Sequence, residues 1–208
     1  MLKIAVMISG GGTDLQSIID ACQAGKINGQ IELVVSNRQK AYGLERAQKA
    51  GIETAVVKKN DALIVSMFKE RQIDLVVLAG YLAILTDELI DAYPNQIINI
   101  HPSLIPSFCG AGMYGMHVHE AVLNRGVKVS GATVHFVSSE IDGGPIIKQV
   151  ACDISDLDKP EDIQARVLEI EHRILPEVVG LYCDGRIKVE NGRAKVIKVK
   201  GALISVTI

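Results

Sequence analysis

The reading of the fold turns on Ile4-Ala-Val-Met-Ile8, followed at once by Ser9-Gly10-Gly11-Gly12 and then by Thr13-Asp14-Leu15-Gln16 and the residues up to Cys22. Ile4 to Ile8 reads as a buried strand, the glycines as a tight turn, and Thr13 to Cys22 as a helix. Working outward, Ile31–Val35 is predicted as a strand, Leu44–Ala50 as the heart of a helix stopped by Gly51, and Thr54–Val57 as a strand. A helix over Ala62–Arg71 and a strand over Leu75–Ala79 follow. That last strand is apolar on both faces, as a parallel strand covered by helices on both sides must be. Strand–helix alternation of this kind predicts an α/β fold, a doubly wound and mostly parallel sheet with helices on both faces.

The second half is less regular. Ile97–His101 is predicted as a short strand ending at Pro102, and a loop rich in Gly, Pro and Ser runs from there to Gly115. His117–Asn124 reads as a helix. Thr133–Val137 and Ile146–Ala151 read as strands around Asp142-Gly143-Gly144-Pro145. Glu161–Tyr182 is the longest helical pattern, which Pro176 is expected to kink or split. Arg186–Val199 alternates around Asn191-Gly192, both tolerant of positive φ, and predicts a β-hairpin. The apolar tail Gly201–Ile208 reads as an edge strand or as an addition to the native chain.

Composition excludes several classes. With 208 residues and 48% hydrophobic content, the chain buries roughly 70% of its surface on folding and needs no staples. Lys and Arg number 22 against 24 Asp and Glu, which leaves no basic excess for a dedicated nucleic-acid or anionic-membrane binder. The longest uncharged apolar run, Leu75–Leu85, has 11 residues, and a membrane-spanning helix needs about 20. Met1–Gly12 is unlike a secretory signal. Cys22, Cys109, Cys152 and Cys183 are widely spaced and lack a Cys-x-x-Cys pair, so they are expected to be reduced thiols of a cytoplasmic protein.

The glycine turn joins a strand to a helix, where free backbone N–H groups hold anions. Leu15 occupies the place of the third glycine of a dinucleotide fingerprint, and Ser36-Asn37-Arg38 offers no acid for a ribose. A single phosphate monoester held by Gly12, Thr13 and Asp14 fits better. A plain tight turn with Thr13 as helix cap fits equally well. In Ile97-Ile98-Asn99-Ile100-His101-Pro102 the alternation of a strand puts Asn99 and His101 on one face, at a strand carboxyl end where open α/β sheets bind ligands. An amide donor beside an imidazole suits acyl transfer, holding an oxyanion while a proton moves. Asp142, in its glycine-flanked loop, is placed to raise the basicity of His101. Without a third partner, the reading in which Asn99 and His101 merely satisfy strand-end backbone groups is the stronger one.

Ser9-Gly-Gly-Gly-Thr-Asp-Leu-Gln, Val76-Val-Leu-Ala-Gly-Tyr, Asn99-Ile-His-Pro-Ser-Leu-Ile-Pro, Gly131-Ala-Thr-Val-His-Phe-Val and Asp142-Gly-Gly-Pro-Ile occur in that order. In this the chain resembles the phosphoribosylglycinamide formyltransferases over roughly residues 2 to 190. The Asn-x-His-Pro-Ser and Asp-Gly-Gly-Pro motifs are common to the folate-dependent formyltransferases and formyltetrahydrofolate deformylases, so they bear on the chemistry. The phosphate turn and Glu171-His172 bear on the substrate. The resemblance implies a formyltransferase-like Rossmann variant, with a single domain over 1–208. Within it, a phosphate-binding half spans about 1–100, a folate and catalytic half about 101–185, and the hairpin about 186–200.

It also implies formyl transfer from N10-formyltetrahydrofolate to the amine of phosphoribosylglycinamide in purine synthesis, without a metal. Asn99, His101 and Asp142 would be the catalytic trio. Gly12, Thr13 and Asp14 would hold the substrate phosphate, and Glu171 the ribose hydroxyls. The folate would lie along Leu82, Ala83, Ile84 and Leu85 and along Ser138, Ser139, Glu140, Ile141 and Asp142, with Asn99 beside it. Thr133 and His135 would support the trio from behind. Partners would be small molecules only, with no nucleic acid or membrane, in a monomer or homodimer.

Departures from the family pattern concern affinity. Asp14 stands where relatives commonly carry Asn, and a carboxylate there repels phosphate. Ala83 and Ala111 stand where some relatives have Arg and Lys, and Asn60–Val65 lacks an Arg that some relatives use near the folate. His117-x-His119 does not face one way on a helix and no third ligand joins it, so a metal is rejected. His172 is expected to close against the core, and Gly110, Gly112 and Gly115 either to hinge a lid over the folate or simply to supply turns. Lys195, Lys198 and Lys200 read as a solvated edge. The alternatives are a formyltetrahydrofolate deformylase, expected to carry an additional N-terminal domain, and a non-catalytic folate- or nucleotide-binding module of the same fold. A methionyl-tRNA formyltransferase would need a further basic domain.

Overall fold

In the computed structural model, which describes residues 1–197, β1 (Leu2–Ile8) buries every side chain from Ile4 to Ile8. It pairs in parallel on one side with β2 (Gly29–Ser36) and on the other with β4 (Leu75–Leu78). Between these run α1 (Thr13–Gln23), α2 (Tyr42–Lys49), β3 (Glu53–Val56) and α3 (Asp61–Glu70). The chain continues through α4 (Asp87–Ala92), β5 (Ile97–His101), α5 (Met116–Arg125), β6 (Val129–Phe136), β7 (Ile146–Asp153) and α6 (Pro160–Cys183). A separate antiparallel pair, β8 (Ile187–Glu190) and β9 (Arg193–Val196), forms the expected hairpin.

The main sheet has the order β3-β2-β1-β4-β5-β6-β7. β3 to β5 are parallel, and β6 and β7 are added antiparallel at one edge. One face carries α1, α2, α5 and α6 over Ile4, Val6 and Ile8, and the other carries α3 and α4 over Ala5, Met7, Leu33 and Val35. Side chains such as Phe68, fully buried and edge-on to Tyr93 at 5.9 Å between centroids, each contribute roughly 2–3 kcal/mol by leaving water. The chain winds outward from β1 to β3, then crosses back to β4. The carboxyl ends of β1 and β4 therefore flank the switch point at which doubly wound sheets take ligands.

Several expectations are corrected. α6 is one helix across Pro176. Buried Ile174, Leu175, Val178 and Val179 on either side anchor both halves to one core, which outweighs the missing N–H. Thr13 does not cap α1: Gly12 occupies the cap in the left-handed region, with no side-chain cap bond. α4, only six residues long, was not anticipated, and β6 begins four residues earlier than predicted because Val129–Gly131 already pair with β7. Lys195 bonds Glu190 across the hairpin at 2.7 Å. Lys198, Lys200 and the tail Gly201–Ile208 lie outside the described residues.

Candidate active site

The β1–α1 turn is fastened from three sides. The Ser9 hydroxyl accepts the Leu82 N–H at 2.8 Å and donates to Asn37 Oδ1 at 2.7 Å, tying the turn to the segment after β4 and to the end of β2. The Gly10 carbonyl accepts the Gly43 N–H at 3.0 Å, and the Gly11 carbonyl accepts Arg46 Nε–H at 2.9 Å. Gly12 has φ +70°, and a Cβ there would lie 2.6 Å from Gly43 Cα, so α2 presses against the turn at a point where only glycine fits. Both carbonyls are thus directed to α2, and the first N–H groups of α1 are left without intrahelical acceptors.

Two strands away, Asn99 and His101 leave the same face of β5 as predicted. His101 Nε2 lies 2.9 Å from the Phe108 carbonyl, and a carbonyl only accepts, so Nε2 carries the hydrogen and Nδ1 of the neutral ring is bare. Asp142 Oδ2 lies 3.7 Å from that Nδ1 and accepts the Gly110 N–H at 2.8 Å. His135 repeats the arrangement: Nδ1–H donates to the Phe136 carbonyl at 2.8 Å, and bare Nε2 lies 3.7 Å from Asp142 Oδ1. The same Nε2 accepts from the Asn99 amide at 3.1 Å, which fixes the amide orientation and leaves its second N–H for a ligand. Burial pushes the His135 pKa down, keeping it a neutral acceptor. Thr133 lies behind, its hydroxyl donating to the Ser103 carbonyl at 2.6 Å and accepting the Ile105 N–H at 3.2 Å, so it braces the chain just after His101.

A cavity of about 490 Å³ joins these two regions. Gly12, Thr13, Asp14 and Glu171 line one part, and Asn99, His101, His135 and Asp142 another. Leu82–Leu85 and Ser138–Ile141 form further wall, with Ile84 75% exposed at an apolar rim. The sequence-derived site residues are therefore brought together, apart from Thr133 behind the wall.

Other lining residues were not anticipated. Gln164 and Leu168 join Glu171 on α6, and their spacing of four and three marks one helix face, a signal available in the sequence. His119 of α5 also lines the cavity. It is 1% exposed with Nδ1 unpartnered, and burial with the nearby His101 charge pushes its pKa down to about 4. His172, expected in the core, is instead 37% exposed at its side chain and stands 3.8 Å from Asp14 Oδ1. Gly110, Gly112 and Gly115 all have positive φ and supply turns. Among the described residues, no three His, Cys, Asp or Glu side chains form a metal-binding cluster, and no helix is long and apolar enough to cross a membrane.

One carboxyl, two histidines with fixed tautomers and an amide donor around one cavity can polarise a carbonyl and move a proton. The comparisons with known proteins agree with that chemistry. The phosphoribosylglycinamide formyltransferase of Escherichia coli (strain K12) is 40% identical over 207 residues, covering 93% of this chain and 92% of its own. The structure of glycinamide ribonucleotide transformylase 1 from Symbiobacterium toebii matches with a TM-score of 0.90 at 41% identity over 95% of each chain. A formyltetrahydrofolate deformylase from Pseudomonas syringae pv. tomato matches with a TM-score of 0.87 at 28% identity, over 95% of this chain and 66% of that one. The family model for formyl transferase matches residues 2–179, nearly every element described above, and the chain belongs to the formyl transferase family.

Proposed function

We propose that the chain transfers the formyl group of N10-formyltetrahydrofolate to the primary amine of phosphoribosylglycinamide. The observation that carries this reading is the convergence of Asn99, His101 and Asp142 on a cavity that also reaches the N-terminal turn of α1. The folate lies along Leu82, Ala83, Ile84, Leu85 and Ser138, Ser139, Glu140 and Ile141. The phosphate rests on the N–H groups at Gly12, Thr13 and Asp14, and Glu171 meets the ribose.

The amine nitrogen attacks the formyl carbon, and the carbonyl oxygen gains negative charge. The free Asn99 N–H and His101, protonated at Nδ1, donate to that oxygen, as acyl transfer requires. His135 holds Asn99 in the orientation that presents the N–H. Asp142 faces the imidazolium and helps carry the amine proton away. Cleavage of the bond from carbon to N10 returns the carbonyl, and the proton lost by the amine balances the one N10 gains. Both halves of the fold contribute, with the phosphate seat, Leu82–Leu85 and Asn99 in about 1–100 and His101, Ser138–Asp142 and Glu171 in about 101–185.

The test is an absorbance assay of folate deformylation with and without phosphoribosylglycinamide. Product only with the amine present is expected. Product in its absence would make the chain a deformylase, and no product under either condition would make it a binding module.

A further inference from the structure

Asp14 and Glu171 stand 157 residues apart in sequence and meet at the end of the cavity nearest α1. Asp14 is 7% exposed and Glu171 5% exposed, both line the same cavity, and His172, next to Glu171 in the chain, stands 3.8 Å from Asp14 Oδ1. Two carboxyl groups buried side by side do not both ionise readily, so such a pair retains one proton between them. We propose that Asp14 and Glu171 form one proton-sharing carboxyl pair that sets the charge of the phosphate end of the cavity, so that a phosphorylated substrate is held together with that proton and Asp14 makes recognition of the phosphate depend on pH. This rests on the reading of the α1 turn as the phosphate seat.

The surroundings decide where the proton sits. Asp14 is the second residue of α1, where the free N–H groups favour an anion, and its Oδ1, without a hydrogen-bond partner, is 3.8 Å from His172 Nε2. Glu171 lies in the middle of α6 with no comparable compensation. Burial raises the pKa of both groups, and the Asp14 charge raises that of Glu171 further. The proton therefore rests on Glu171. On the elements packed against this end of α1, the other charged or titratable side chains are few. Arg46 on α2 is turned to the Gly11 carbonyl and Gln16. Glu45, Lys49, Glu169 and Arg173 are exposed. His119 on α5 is neutral above pH about 4. His172 is the one cation-forming group in contact with the pair among the described residues.

A phosphate monoester is close to a dianion above pH 7. With one proton, the pair adds one negative charge beside it; without, two. As pH rises through the raised pKa of the pair, affinity for the phosphate falls, approaching about tenfold per pH unit where binding requires the proton. The dependence appears in KM for the phosphorylated substrate, because the pair is separated from Asn99 and His101 by β4.

The experiment has two arms. Infrared spectra of the free protein, titrated from pH 5 to 9, are expected to show a buried carboxylic acid band persisting at pH 7. The band should disappear in Glu171→Gln and titrate at lower pH in Asp14→Asn. Calorimetric titration with inorganic phosphate, and separately with phosphoribosylglycinamide, in buffers of different ionisation enthalpy is expected to show proton uptake that rises towards one per ligand above the pH at which the infrared band titrates. Asp14→Asn should take up markedly less and bind phosphate with a flatter pH profile. A wild-type protein with no protonated carboxyl at pH 7, or equal proton uptake in wild type and Asp14→Asn, would overturn the proposal. Should formyl transfer to phosphoribosylglycinamide prove absent, the infrared titration and the inorganic phosphate arm still decide it.

Discussion

Replacing Asp142 by Asn isolates its charge. The amide keeps the volume and an oxygen to accept the Gly110 N–H, a bond of 2.8 Å in the wild-type protein. What disappears is the negative charge 3.7 Å from His101 Nδ1. In the proposed mechanism His101 acts as an imidazolium, and at an effective dielectric constant of about 20 a unit pair at that separation attracts by about 4 kcal/mol. Both side chains are largely buried, 5% and 11% exposed, so solvent screens little of it. In rate this is about 10³-fold. The expected result is a fall of that order in kcat/KM in the absorbance assay, with folate binding, measured by direct titration, essentially retained. Turnover within about tenfold of wild type would leave no more than about 1.4 kcal/mol for the interaction and refute the electrostatic role. Loss of folate binding instead would make Asp142 a binding residue.

Asn99→Ala removes one oxyanion donor and is expected to lower turnover by about 10²–10³-fold; unchanged single-turnover rates would remove Asn99 from the mechanism. His119 has a folded pKa of about 4 against about 6.5 unfolded. The unfolded chain therefore takes up a proton on acidification that the native state refuses, and the stability present above pH 6.5 is lost towards pH 4, by about 3 kcal/mol. Urea unfolding of His119→Gln should show a decline smaller by about that amount, and parallel profiles for the two proteins would refute the assignment. At Gly144 a Cβ would lie 1.8 Å from the Phe136 carbonyl oxygen, backbone against side chain with no flexible partner to yield. Gly144→Ala should destabilise by about 3 kcal/mol and lower Tm by about 10 °C; an unchanged Tm would contradict the close approach of the Asp142 loop to β6.

The strands that build the site were legible because their chemistry is local. Ile97–His101 ends where predicted, since Pro102 cannot extend the ladder, and alternation alone put Asn99 and His101 on one face. The apolar cores of β1 and β4 announce burial on both sides. Contacts made across the fold left no local trace. Gly12 displaces Thr13 as the cap of α1 because α2 packs on the turn through Gly43, a tertiary constraint. The tautomers of His101 and His135 depend on the Phe108 and Phe136 carbonyls, and nothing in the spacing of residues 101 and 108 foretells such a bond. Asp14 was legible as an anion at an anion seat, but its meeting with buried Glu171 was not. His119 was weighed only as a metal ligand with His117. Its helical spacing to buried Val122, three residues on, was the signal that it faces inward.

The cavity separates recognition from chemistry in a way that explains how an acid can be tolerated at position 14. Asp14 and Glu171 belong to α1 and α6, whereas the reacting groups belong to β5, β6 and the loop before β7, with β4 between β1 and β5. Two inter-strand spacings amount to about 10 Å, a separation at which perturbations without shared partners act independently. A carboxylate in the place of Asn99 would put negative charge against a developing oxyanion and oppose the reaction itself. A carboxylate at position 14 instead changes the conditions under which a phosphate is admitted, and a neighbouring acid that keeps its proton limits even that effect. The histidine tautomers are set by backbone carbonyls, and the Asn99 orientation by His135, none of them a member of the pair. The formyl-transfer geometry is thus fixed by the sheet, while substrate preference is adjustable at two helix positions.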